Sequence, residues 1–237
     1  MSAVLRMRAV CRTHGEGDLA VQALRSFDLT VAEGELVAVM GPSGSGKSTL
    51  LQIAGGLDTP TSGRVDVDGI DLTTLDRTGL AAVRRRHVGY VFQDLNLVST
   101  LTLAENVALP LELDGTTRRA ARRAAMQALE RVEVAELADR FPDDVSGGQR
   151  QRAAIARALV GERRLLLADE PTGALDSVTG EAVMRLLRSQ VDDGAAGVLV
   201  THDARLAGWA DRILFLRDGR QVDTTTASVP QQLTVTP

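Results

Sequence analysis

Gly41-Pro42-Ser43-Gly44-Ser45-Gly46-Lys47-Ser48 decides how the rest of the chain is read. The apolar run Leu36-Val37-Ala38-Val39-Met40 precedes it and Thr49-Leu50-Leu51-Gln52-Ile53 follows, which predicts strand, glycine-rich loop and helix in that order. The stretch fits G-x-x-x-x-G-K-[ST], in which glycines let backbone N–H groups close round phosphates and the lysine reaches the terminal phosphates. The Ser48 hydroxyl is then a ligand for Mg²⁺, and the helix that opens near Lys47 and Thr49 adds its positive end. A plain Gly/Ser connector is the alternative, and the flanking strand and helix argue against it. Lys47 is also the one lysine in a chain rich in arginine. A compact ammonium and a planar guanidinium are not interchangeable, so the exception supports a phosphate-binding task.

At 237 residues the chain makes one large domain or one and a half. A net charge of -4 argues against nucleic-acid binding through a general basic surface. Cys11 is the single cysteine and allows no internal disulfide, and Met1 to Arg6 lack an apolar signal-peptide core. Both point to the reducing cytoplasm. No apolar stretch approaches the roughly 20 residues that cross a bilayer. Any membrane contact is therefore expected through a partner.

Val4–Val10, Phe27–Val31 and Val65–Asp68 alternate apolar and polar residues and predict a small antiparallel layer. Between the first two, Thr13 to Asp18 reads as a polar, glycine-rich loop that carries His14. Val88–Phe92 predicts a buried strand with Gln93 just past its carboxyl end, where open α/β sheets bind ligands. Gln93 is thus placed to touch Mg²⁺ or an attacking water, with a solvent-facing turn glutamine as the alternative. From Thr102 the pattern turns helical: Thr102 to Glu105 matches a capping box and Arg118–Val132 has helical spacing. We read residues 94–160 as a helical subdomain inserted in the α/β core. The run Arg118, Arg119, Arg122, Arg123 is expected to be a solvated face.

Val145-Ser146-Gly147-Gly148-Gln149 precedes a helix over Ala153–Val160, with Ser146 and Gln149 forming a second capping box. It is also a second anion-type helix N-terminus, and one P-loop already holds one nucleotide's phosphates. A two-fold dimer in which each chain's second site covers the other's P-loop gives it a ligand. Leu165-Leu166-Leu167-Ala168-Asp169-Glu170 predicts a strand buried on both faces and ending in two acids. Asp169 offers an oxygen to the cation, and Glu170 is the candidate base for the attacking water. Two acids in an ordinary turn are the alternative. A helix over Thr179–Val191 and a strand Val198–Thr201 lead to His202, which at a strand end is either structural or a γ-phosphate contact. Ile213–Leu216, Asp218-Gly219 and Gln221-Val222 predict a terminal hairpin, with a loose tail from Thr224 to Pro237.

Together these residues resemble the ATP-binding cassette family from about Val4 to Val222. Gly41–Ser48 looks like its Walker A, Gln93 its Q-loop, Val145–Gln149 its signature, Leu165–Glu170 its Walker B, Ala174–Asp176 its D-loop and His202 its H-loop. The resemblance implies a single P-loop ATPase domain over residues 1–223, ATP and Mg²⁺ as ligands, and hydrolysis to ADP and phosphate. It further implies a homodimer that closes head-to-tail on ATP and drives an integral membrane permease at the inner face of the cell membrane. Gly55-Gly56-Leu57-Asp58, Glu105 to Pro110 and Ala168 to Gly173 are similar to the branch with macrolide-export, lipoprotein-release, antimicrobial-peptide-export and cell-division ATPases. Val145 stands where the signature usually has leucine, and His14 where an aromatic ring stacks on adenine. A cell-division regulator and a soluble mechanical ATPase are the competing readings. The second is disfavoured by the compact segment between Walker A and signature, where repair members resemble this cassette but carry long coiled coils.

Overall fold

Two sheets share one helix between them in the computed structural model, which describes residues 2–226. In chain order the first strands are β1 (Ala3–His14), β2 (Val21–Ala32) and β3 (Leu36–Met40), followed by helix α1 (Lys47–Ala54). Next come β4 (Ser62–Val67), β5 (Ile70–Asp71), α2 (Arg77–His87) and β6 (Val88–Val91). The helices α3 (Leu103–Leu113), α4 (Arg118–Arg131) and α5 (Gly147–Leu159) then precede β7 (Leu165–Asp169). The chain continues through α6 (Ser177–Asp192), β8 (Ala196–Val200), the short α7 (Ala204–Ala207), β9 (Arg212–Arg217) and β10 (Arg220–Thr226).

The larger sheet has the order β10-β9-β3-β8-β7-β6, parallel except for the β9–β10 hairpin, and the smaller is antiparallel with the order β2-β1-β4-β5. Alternation along the parallel strands splits the core in two. Val37, Val39, Leu165, Leu167, Val198 and Val200 face α1 and the small sheet, where they meet Leu50, Leu51, Met7 and Phe27. Leu36, Ala38, Leu166, Ala168 and Leu199 face the opposite way, onto α3, α4, α5 and α6. With both faces covered, β7 and β8 are buried throughout, as their apolar runs Leu165–Ala168 and Ala196–Val200 require; β7 ends in the buried Asp169. The parallel strands β3, β6, β7, β8 and β9 run the same way, and the edge formed by the carboxyl ends of β3, β6, β7 and β8 carries the candidate site.

Several expectations need correction. The first two strands are longer than their alternation suggests, because register shifts after Met7 and Val10 break the period of two while pairing continues. Ala9 and Ser26 sit at these irregularities with φ of 47° and 49°. His14 is consequently the last residue of β1 and not part of a loop. The helix expected from Ala153 starts at Gly147, directly behind its cap. Thr224 to Thr226, expected in the tail, extend β10 against Leu214, Ile213 and Arg212. The β-branched side chains of Thr224 and Thr225 suit an edge strand. The rest of the expected tail, 227–237, lies outside the described residues. Asp218 and Gly219 do make the hairpin turn, both at positive φ. Helix α2 carries no clear apolar stripe, and its one fully buried side chain, Val83, explains why sequence pattern misses it.

Candidate active site

The loop after β3 is held by close backbone contacts that only glycine allows. A side chain at Gly41 would strike the Leu216 carbonyl, and one at Gly46, where φ is 106°, would strike the Ala23 carbonyl. The loop is thus pressed between the β9–β10 hairpin and β2, with α1 starting at Lys47. The first amides of that helix lack helical acceptors and face outward from its end. Lys47 Nζ lies back over the loop, donating to the carbonyls of Gly41 (2.8 Å) and Pro42 (2.9 Å). A phosphate arriving there gives the ammonium a charged acceptor in place of two neutral ones.

A cavity of about 750 Å³ opens on this loop. Gly41, Ser43, Gly44, Gly46, Lys47, Ser48 and Thr49 line one side, and Gln93, Asp169, Glu170 and His202 line the other. Pro42 and Ser45 belong to the loop without lining the cavity. Its volume falls in the range of small-ligand sites. Asp169 is buried, and burial raises its pKa; a hydrogen bond with Ser48 and the Lys47 charge oppose that, while Glu170 adds to it. A buried carboxylate hydrogen-bonded to the Ser48 hydroxyl, with Gln93 lining the same cavity, makes an oxygen-donor set suited to a hard cation.

Glu170 follows β7 at φ 47°, a strained turn for a non-glycine residue, and its N–H donates to the Val200 carbonyl. Its carboxylate accepts from the His202 N–H (3.0 Å), the Thr201 hydroxyl (3.3 Å) and His202 Nδ1 (2.7 Å). The hydrogen bond to Glu170, reinforced by its charge, raises the His202 pKa. The histidine therefore stays protonated further into the neutral range than a free imidazole, and its ion pair is complete below about pH 6.5 and fades as pH climbs through the raised value. An NMR titration of His202 should give a higher pKa in the wild type than in Glu170→Gln; identical titrations would remove the pair.

The second anion-type site lies apart from this cavity. Ser146 and Gln149 complete the capping box: Ser146 Oγ accepts from Gln149 N–H (3.3 Å) and Gln149 Oε1 from Ser146 N–H (2.8 Å). Gly148 packs beside Ala174 and Leu175. None of Ser146, Gly147, Gly148 and Gln149 reaches the P-loop cavity of its own chain. His14 does not line the cavity either; its Nε2 lies 3.5 Å from the Thr49 hydroxyl at its border. Ala20 and Val21, at the start of β2, line the cavity instead.

The family model described as ABC transporter matches residues 24–173. The chain belongs to the ABC transporter family. It is 47% identical over 223 residues to a macrolide export ATP-binding/permease protein of Brucella melitensis, covering 94% of this chain and 34% of that protein. The cassette therefore spans about a third of the length of the macrolide-export relatives it matches. An uncharacterized ABC transporter ATP-binding protein of Methanocaldococcus jannaschii is 46% identical, covering 91% of this chain and 94% of that one. The solved dimeric structure of the ATP-binding cassette MJ0796 in a post-hydrolysis state with ADP and Pi superposes with a TM-score of 0.90 at 42% identity, covering 94% and 98% of the two chains. The fold is that of an ABC ATPase cassette, with the mixed α/β core and antiparallel layer that the motifs imply.

Three supporting residues escape sequence reasoning. Asn106, fully buried on α3, accepts from Val98 N–H and donates to the carbonyls of Val98, Leu101 and Thr102, so it holds the segment between Gln93 and α3. Arg157 on α5 grips the same segment through the Leu95 and Asn96 carbonyls. Gln151, also buried, donates to the Pro171 carbonyl at 2.6 Å and ties α5 to the turn carrying Glu170. For Asn106 and Gln151 the signal is a lone amide on an otherwise apolar helix face.

Proposed function

We propose that this cassette binds ATP with Mg²⁺, hydrolyses it in a head-to-tail homodimer, and powers a membrane permease from the cytoplasmic side. One observation carries the reading: Lys47, Ser48, Gln93, Asp169, Glu170 and His202 converge on one cavity while Ser146–Gln149 lies outside it. The first group supplies phosphate binding, cation binding and a base; the second is an anion site that needs another copy's nucleotide. Ser48 and Asp169, with Gln93 nearby, would hold Mg²⁺, which when bound neutralises phosphate charge. Glu170 accepts the proton of the attacking water, and Lys47 holds the terminal phosphates. His202, already paired with Glu170, orients that carboxylate and stands where phosphate is lost.

Among the described residues no helix is long and apolar enough to cross a membrane. Attachment through a permease accounts for a transporter-family cassette of this form. Phosphate release from ATP and Mg²⁺ by the purified chain tests the enzymatic part. Lys47→Ala should weaken binding of a fluorescent ATP analogue at least tenfold, corresponding to about 1.4 kcal/mol for the lost charge-assisted contact. Unchanged binding would take the lysine out of the site.

The base is proposed to rest near His14 and Val21 at the border of the cavity. An imidazole offers less face than a larger ring, and base–aromatic stacking is worth roughly 1–3 kcal/mol in single-strand binders. His14→Ala should therefore weaken ATP by about threefold to tenfold, near the low end of that range. Equal affinities for wild type, His14→Ala and His14→Tyr would place the base elsewhere.

A further inference from the structure

Helix α5 starts at the Ser146 cap and ties itself by polar side chains to carbonyls of the segments around it. Arg150 donates to Pro142 and Val145, Arg152 to Val132 and Glu133, and Arg157 to Leu95 and Asn96. All three arginines keep part of their surface in solvent. Gln151 does not: it is 3% exposed, buried along with Ala153, Ala154 and Ile155 of the same helix, and its Nε2 donates to the Pro171 carbonyl at 2.6 Å. Burying an amide carries a desolvation cost that its hydrogen bond little more than offsets, so packing alone favours an apolar residue at this position.

Pro171 directly follows Glu170. The amides of the turn bond elsewhere: Pro171 has no N–H, the Gly173 N–H goes to the Glu170 carbonyl and the Leu175 N–H to the Thr172 carbonyl. Glu170 itself holds φ 47°, a conformation that a non-glycine residue keeps only where its surroundings impose it. On one side its N–H is fixed to the Val200 carbonyl, and on the other Gln151 fixes the next peptide. A Cβ on Gly148 would stand 3.5 Å from the Ala174 carbonyl and from Leu175 Cδ2, so the first turn of α5 also packs on this segment. Five residues of one continuous helix, a rise of about 7 Å, separate Ser146 from Gln151.

We infer that Gln151 is a positioning residue for Glu170: its amide fixes the Pro171 carbonyl and, through it, the direction of the base. The helix whose start faces a partner copy's nucleotide thereby also holds the base that acts on its own chain's nucleotide. The inference rests on the dimeric ATPase reading and adds a residue that joins the two sites within one chain.

Gln151→Met keeps the length of the side chain and removes the donor. At saturating ATP and Mg²⁺ it should slow phosphate release about tenfold, the scale of a base displaced by a fraction of an ångström. KM and the affinity for a fluorescent ATP analogue should change by less than about twofold, because Gln151 does not line the cavity and the loss falls on kcat alone. A cycle with Glu170→Gln separates positioning from general loosening. If Gln151 acts through the base, adding Gln151→Met to Glu170→Gln should slow single-turnover release by less than about twofold more. A merely structural role gives the same loss in both backgrounds. Melting temperature and binding of the ATP analogue check folding, and Gln151→Asn, whose amide is one carbon shorter, replaces Gln151→Met with the same expectations if the latter is unfolded. Turnover within about twofold of wild type, a loss confined to KM, or an equal loss on the Glu170→Gln background would overturn the inference. Wild-type phosphate release would stand in each of those cases, whereas a wild-type chain that releases no phosphate would remove the ATPase reading itself.

Discussion

Glu170→Gln should bind ATP as the wild type does and hydrolyse it about 10²–10⁴-fold more slowly, the usual cost of losing a general base. The substitution keeps the shape of the side chain and an oxygen that accepts from the His202 N–H and Thr201 hydroxyl. It removes the basic oxygen and the charge that holds His202 Nδ1. Because Glu170 sits at φ 47° on the turn after β7, its direction is set by backbone, and glutamine inherits that direction. An ATP-bound dimer should accumulate, visible as a doubled mass by light scattering with ATP and Mg²⁺. Near-normal phosphate release by the variant would show that another group handles the water's proton.

Much of the architecture is legible in the sequence, for reasons that particular strands make plain. Leu165–Ala168 of β7 and Ala196–Val200 of β8 are apolar runs, as a two-sided sheet requires, and turn residues follow them. Thr102 and Ser146 mark two helix starts because their capping boxes are local and depend on four residues each. Where structure depends on distant contacts, the pattern is silent. β1 continues to His14 through bulged pairing with β2, which no local alternation records. α2 exists because Val83 and its neighbours pack between the sheets, while arginines crowd its last turn and hide the periodicity.

The site divides the same way. Lys47, Ser48, Asp169 and Glu170 could be placed because each stands at the end of a strand or the start of a helix, and parallel strands deliver their ends to one edge. The hydrogen bond that locks Glu170 to His202 could not, since it joins residues 32 apart along the chain through the turns that follow β7 and β8. Nor could the anchoring of the Gln93 segment by Asn106 and Arg157, which is a property of the packed helices.

Ser146→Arg and Lys47→Ala should each abolish hydrolysis for different reasons, and together they test the dimer. Lys47→Ala empties the phosphate site of its own chain. Ser146→Arg puts a long cation at the start of α5 and removes a helix cap worth about 1 kcal/mol, a loss that a melting curve measures separately. Neither change touches the other's cavity within one chain, because Ser146 does not line the cavity that holds Lys47. In a head-to-tail pair, however, a mixed dimer carries one doubly damaged site and one intact site. Phosphate release by an equal mixture of Lys47→Ala and Ser146→Arg chains is thus the most direct measurement. The composite site predicts two inactive proteins whose mixture recovers roughly a quarter of wild-type turnover, half the dimers being mixed and each holding one good site. A Ser146→Arg chain that hydrolyses ATP at the wild-type rate, or a mixture no more active than its two components, would contradict it.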